Sequence, residues 1–128
     1  DENGQLVADD IVGQTRRTIE NVRTCLAAAG CGLEDVLKVT AFLDDMGDMA
    51  AYNEVYKEYF TEPYPARSTV GVSLPGGLRV EIEAVARRPT PGPSRSPSTT
   101  VASTCLPGWW GATRRPIWRS SASSARAR

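Results

Sequence analysis

The sequence predicts one small α/β (α+β) domain, helices laid on a short sheet, followed by a tail of different character. Three observations predict it. Apolar residues recur every three or four positions over residues 11–29 and again from Met49, as in amphipathic helices. Residues 68–72 and 78–86 alternate apolar and polar, as in half-buried strands, and composition changes abruptly after Arg88.

Length and charge bound the possibilities. With 128 residues, 41% of them apolar, the chain suits one hydrophobic core and not two. Its zero net charge conceals a division, because all fifteen acidic residues lie at or before Glu83 while residues 89–128 hold six arginines and no acid. Residues 1–88 carry about −6 and residues 89–128 carry +6, so two segments with different physics are expected. No run approaches the roughly 18 consecutive apolar residues of a membrane span. Asp1-Glu-Asn-Gly4 lacks a signal-peptide profile, and the expected compartment is the cytoplasm. Cys25, Cys31 and Cys105 show no metal-type spacing and read as packed or idle thiols. Histidine is absent, which removes His-dependent zinc sites, Ser-His-Asp triads and paired ribonuclease histidines.

Along the chain, Ile11, Thr15, Ile19, Val22, Leu26 and Ala29 form the stripe of the first helix, with Asp9 or Asp10 as its cap and Gly30 as its stop. Val36–Leu43 is rich in β-branched and apolar residues and is closed by the turn Asp44–Asp48, so it reads as a strand. Asp48 is expected to cap a second helix through Tyr52, Val55, Tyr56, Tyr59 and Phe60, which Pro63 and Pro65 bring to an end. Its tyrosines read as core or interface. Asn53, a polar amide on the same turn as that aromatic stripe, reads as solvated or capping.

The last two strands are expected to pair as a hairpin through Leu74–Gly77. Alternation then sets Ser68, Val70 and Val72 with Leu78, Val80, Ile82 and Ala84 on an apolar face beneath the helices. Arg67, Thr69 and Gly71 share the opposite face with Arg79, Glu81 and Glu83. Such a face could hold a small carboxylate beside a water molecule; the bland alternative is an exposed ladder of ion pairs, each contributing roughly 0–1 kcal/mol.

After Arg88, residues 89–100 have no apolar period and too little hydrophobic surface to offset their conformational entropy, so they should be extended and mobile. Trp109, Trp110 and Trp118 lie among Gly108, Gly111 and Pro116, which oppose a regular element. Residues 89–128 read as a disordered Pro/Ser/Arg-rich tail, and their bias fits the product of a shifted reading frame in a GC-rich gene.

The residues carry a family resemblance. Gln14-Thr15, Ile19-Glu-Asn-Val22, Asp35-Val-Leu-Lys-Val-Thr40, Tyr52-Asn53, Tyr59-Phe60, Pro65-Ala-Arg-Ser68, Leu74-Pro75 and Val80-Glu-Ile-Glu-Ala84 resemble, in order, the RidA/YjgF enamine/imine deaminases over about residues 3–88. The resemblance implies a chorismate-mutase-like mixed sheet with two helices on one face, in a homotrimer whose sheets face inward and whose ligand sites lie between neighbours. It implies Arg67 as the carboxylate grip, Glu81 as the residue that orients or activates water, and Asn53 near the cleft. Thr69 stands where deaminating members often carry cysteine. Family members open with further strands bearing Gly-Pro-Tyr and Ser-Gly-Gln segments; this chain begins after them. A domain truncated at its N-terminus, with an exposed sheet edge and doubtful activity, is therefore expected.

The implied reaction is hydrolysis of a 2-imino acid such as 2-iminopropanoate to a 2-keto acid and ammonia, with neither cofactor nor metal. Two other classes compete: a non-catalytic module that binds keto acids, and an RNA-acting protein suggested by the basic tail. An acidic body without histidine ranks the last of these lowest.

Overall fold

Asp10 opens the described part of the chain, since the computed structural model describes residues 10–87 and 99–102. Its carboxylate accepts a hydrogen bond from Gly13 N at 3.0 Å and so caps helix α1, Ile11–Ala28. Gly30, at φ 76°, takes the left-handed conformation expected of the stop. On the inner face of α1, Ile19 and Leu26 are wholly buried and Ile11 and Val22 nearly so. Each such side chain contributes about 1.5–3 kcal/mol by leaving water.

Strand β1, Val36–Leu43, carries a bulge between Val36 and Lys38 that lets both Val36 and Val39 reach the core. Helix α2, Met49–Tyr59, follows a short 3-10 turn. Asp48 stands at its N-cap position without making the expected cap bond; its carboxylate meets Arg79 instead, at 3.4 Å. Strands β2, Ala66–Gly71, and β3, Val80–Arg87, complete the expected elements.

The sheet order, β2-β1-β3-β4, corrects the expected hairpin. β2 runs parallel to β1 and β3 antiparallel to it, so β1 separates the two strands that the sequence paired. Residues 72–79 instead carry the chain over the end of β1. Val72 N donates to Leu43 O, Leu74 N to an Asp44 carboxylate oxygen, and Asp44 N to Arg79 O, at 2.9, 2.7 and 3.0 Å. Gln14 of α1 closes the crossing: its Nε2 donates to Gly77 O at 3.1 Å and its Oε1 accepts from Arg79 N at 2.8 Å.

A second correction concerns the tail. Thr99–Ala102, which takes in the last two residues of the stretch read as extended and mobile, forms strand β4 and pairs antiparallel with Ala84–Arg87 of β3. These four residues are rich in types that favour extended backbone, and an open strand edge offers them a template. Cys105 and the three tryptophans lie outside the described residues.

Both helices cover one face of the mixed sheet, whose inward residues Val39, Ala41, Leu43, Val80, Ile82, Ala84 and Ala86 are buried against them. Cys31 belongs to this core and Cys25 is half-buried beside it. Among the described residues no helix is long and apolar enough to cross a membrane.

Candidate active site

Pairing with β1 decides where the residues of β2 point. Val39 opposes Arg67 and Ala41 opposes Thr69, and since Val39 and Ala41 face the helices, Arg67 and Thr69 do so as well. There Arg67 meets the aromatic stripe of α2. Its Cζ lies 5.5 Å from the centre of the Tyr52 ring and 4.6 Å from that of Tyr56. Tyr56 in turn stacks on Phe60 at 4.5 Å and lies 5.7 Å from Tyr52. Helical spacing aligns these three rings into a ladder, and the ring quadrupoles attract the cation. Burial pushes the Tyr52 hydroxyl up to about 12, with the Arg67 charge opposing it. Burial also raises Tyr56 against the same opposition. Both tyrosines are therefore neutral at physiological pH.

Arg67 itself remains exposed on the wall of a cleft of about 410 Å³, lined also by Asn53, Tyr56, Lys57, Tyr64 and Pro65. Among the described residues, Asn53 Oδ1, Tyr56 OH and Thr69 Oγ1 are buried polar atoms without a hydrogen-bond partner on this side of the sheet, as are Thr15 Oγ1 and Thr18 Oγ1 on α1. Such groups are few in folded proteins and costly, at about 1–3 kcal/mol each, and two of them, on Asn53 and Tyr56, belong to residues that line the cleft.

Glu81 is not part of this cleft. It opposes Phe42 on β1, which opposes Val70 on β2, and all three belong to the sheet face turned away from the helices. The shared face expected for Arg67 and Glu81 is thus corrected: within one chain they point to opposite surfaces. A period-2 pattern tells which residues of a strand go together but not which set faces the core. In an edge strand both sets are largely exposed, and Val70, assigned to the core by its apolarity, is 44% exposed.

The profile of the family described as Endoribonuclease L-PSP matches residues 1–88. The chain belongs to this family. Its relatives include a protein of Capra hircus named 2-iminobutanoate/2-iminopropanoate deaminase, 45% identical over 85 residues that cover 66% of this chain and 62% of the goat protein. Among solved structures, TdcF of Escherichia coli with bound serine superposes with a TM-score of 0.61 at 43% identity, covering 66% of this chain and 69% of that one. The YjgF gene product of Escherichia coli gives a TM-score of 0.59 at 40% identity, covering 63% and 67%. The chain thus spans about two thirds of the length of these relatives, and the RidA/YjgF resemblance is family membership.

Of the residues that the family pattern singles out, Arg67 and Asn53 come together in the cleft, and Thr69 lies on the same side of the sheet without lining it. Tyr56, Lys57 and Tyr64 line the L-PSP cleft without having been singled out for it. A signal for two of them existed in the sequence: Asn53, Tyr56 and Lys57 stand at i, i+3 and i+4, one helical face. Tyr64 sits in the irregular stretch before β2, where no periodicity could mark it.

Proposed function

We propose that the protein hydrolyses 2-imino acids such as 2-iminopropanoate to 2-keto acids and ammonia, at a site shared between neighbouring subunits of a homotrimer. The observation that carries this reading is the seat of Arg67, an exposed guanidinium held over two buried rings beside an unpartnered Asn53 oxygen. A planar guanidinium presents paired donors that match a carboxylate, whereas an ammonium offers only a point charge. The bound serine of TdcF, itself an amino acid, and the imine named in the goat protein's description support the same ligand class.

Arg67 and Glu81 lie on opposite faces of one chain, so they can act on one substrate only from two chains. Arg67 stands on β2, at the sheet edge, and Glu81 lies on the open face. An edge of one subunit laid against the open face of the next would bring the pair together. The substrate carboxylate docks on Arg67. Water then adds to the imine carbon, giving one proton to the Glu81 carboxylate as its oxygen bonds to that carbon; the C=N electron pair moves to nitrogen, which takes that proton back from Glu81. The resulting carbinolamine passes its hydroxyl proton to nitrogen by the same relay, the C–N bond breaks as the C=O bond forms, and ammonia leaves. No cofactor enters these steps, and the cytoplasm remains the setting expected for them.

The test is freshly generated 2-iminopropanoate with purified protein. Wild type accelerates keto-acid release and Arg67→Ala loses the acceleration; equal rates with and without wild type reject the activity.

A further inference from the structure

Lys57 projects from α2 into the lining of the cleft that holds Arg67, and among the described residues of one chain no acidic residue shares that lining. From this we infer that the cleft takes 2-imino acids, and their 2-keto products, whose side chain ends in a second carboxylate, with Lys57 holding the second group. The inference deepens the function proposed above and rests on its assignment of Arg67 to the first carboxylate.

Size comes first. At the ~30 Å³ that each heavy atom of liquid water occupies, the six heavy atoms of 2-iminopropanoate fill less than half of a cleft of about 410 Å³. The ten of 2-iminoglutarate use the space better. Charge decides among larger ligands. A monocarboxylate, or one with an aromatic side chain, answers Arg67 and leaves Lys57 to solvent and Glu54; a dicarboxylate answers both cations. The rings of Tyr56 and Tyr64 and the Pro65 ring line the same cleft and offer apolar surface to the methylenes between the two ends.

Lys57 is also available for the task. Its ion pair with Glu54 is long, 3.4 Å, and the two side chains are 63% and 76% exposed. Exposed pairs of this kind hold weakly, so a ligand carboxylate competes readily for the ammonium. Asn53, Tyr56 and Lys57 share one face of α2, and the helix thereby aligns the amide, the ring and the cation along the cleft wall.

The experiment is calorimetry on the full chain with 2-ketoglutarate and 2-ketobutyrate, for wild type, Lys57→Ala and Lys57→Glu, and for Arg23→Ala as a control that removes equal charge from α1. Wild type is expected to bind the diacid at least about tenfold more tightly than the monoacid. Lys57→Ala collapses that preference to about twofold or less, Lys57→Glu inverts it, and Arg23→Ala preserves it. Equal affinities in wild type, a preference that survives Lys57→Ala, or binding of neither acid overturns the inference. A Lys57-dependent preference in a protein that fails to accelerate imine hydrolysis supports the subsite while refuting the reaction, so the two failures are told apart.

Discussion

Replacing Gln14 by leucine tests how the chain is carried from β2 to β3. Gln14 is 2% exposed, and its amide makes two bonds across the fold, to Gly77 O and from Arg79 N. Leucine keeps the volume and the apolar packing against the core but leaves one carbonyl and one amide unanswered. A fully buried orphan costs about 1–3 kcal/mol; these two sit in partly buried bonds, so the lower end applies to each and the sum is about 2 kcal/mol. For a domain of this size that corresponds to a fall in Tm of about 8–16 °C. Gln14→Glu retains the oxygen that accepts from Arg79 N but sets a second acceptor against Gly77 O and buries a charge, and at neutral pH is expected to be at least as destabilised as Gln14→Leu. Urea and thermal melts followed by far-UV circular dichroism measure both variants. A Gln14→Leu protein within about 0.5 kcal/mol of wild type would refute the claim that this amide closes the crossing over β1.

Three further outcomes are expected. Tyr56→Phe removes a buried hydroxyl that has no partner while keeping the ring beneath Arg67, so melts should show stability unchanged or raised by about 1 kcal/mol; a loss of that size contradicts the assignment. Asp10→Ala deletes the cap bond to Gly13 N and should cost about 1 kcal/mol by the same melts. The Arg16 guanidinium holds the Glu58 carboxyl below its ordinary range. A lowered folded-state value means that the stabilisation is present above the ordinary carboxylate range and is lost as pH falls through the folded value. The difference between wild type and Glu58→Gln is therefore small at neutral pH, vanishes in acid, and shrinks with added salt because the pair is exposed.

Local chemistry made the elements legible. The stripe of α1, its Asp10 cap, the Gly30 stop and the β-branched run of β1 are each decided by residues within a few positions of one another, and all lie where the pattern put them. Sheet order is a different kind of fact. Whether β2 turns back on β3 or crosses over β1 depends on Asp44 and Gln14, thirty and more residues distant, and alternation within β2 carries no information about it. The same gap explains the site. The family pattern singles out Arg67 and Glu81, but the faces they occupy follow from register with β1. The ring ladder of Tyr52, Tyr56 and Phe60 was legible as a buried stripe, while its role as a seat for Arg67 required knowing which strand packs above it. Asp48, placed as a cap, was drawn off by Arg79, a partner that sequence spacing does not disclose.

Mixing an Arg67 variant with a Glu81 variant tests the proposed shared site most directly. Arg67→Ala chains keep Glu81 and Glu81→Gln chains keep Arg67, so each alone forms only broken sites. Unfolded together in equal amounts and refolded, they should regain activity at about a quarter of the sites, the share in which random assembly of a cyclic oligomer joins an intact arginine to an intact glutamate. Mixtures that stay as inactive as either parent, though assembled, contradict a site built across two chains.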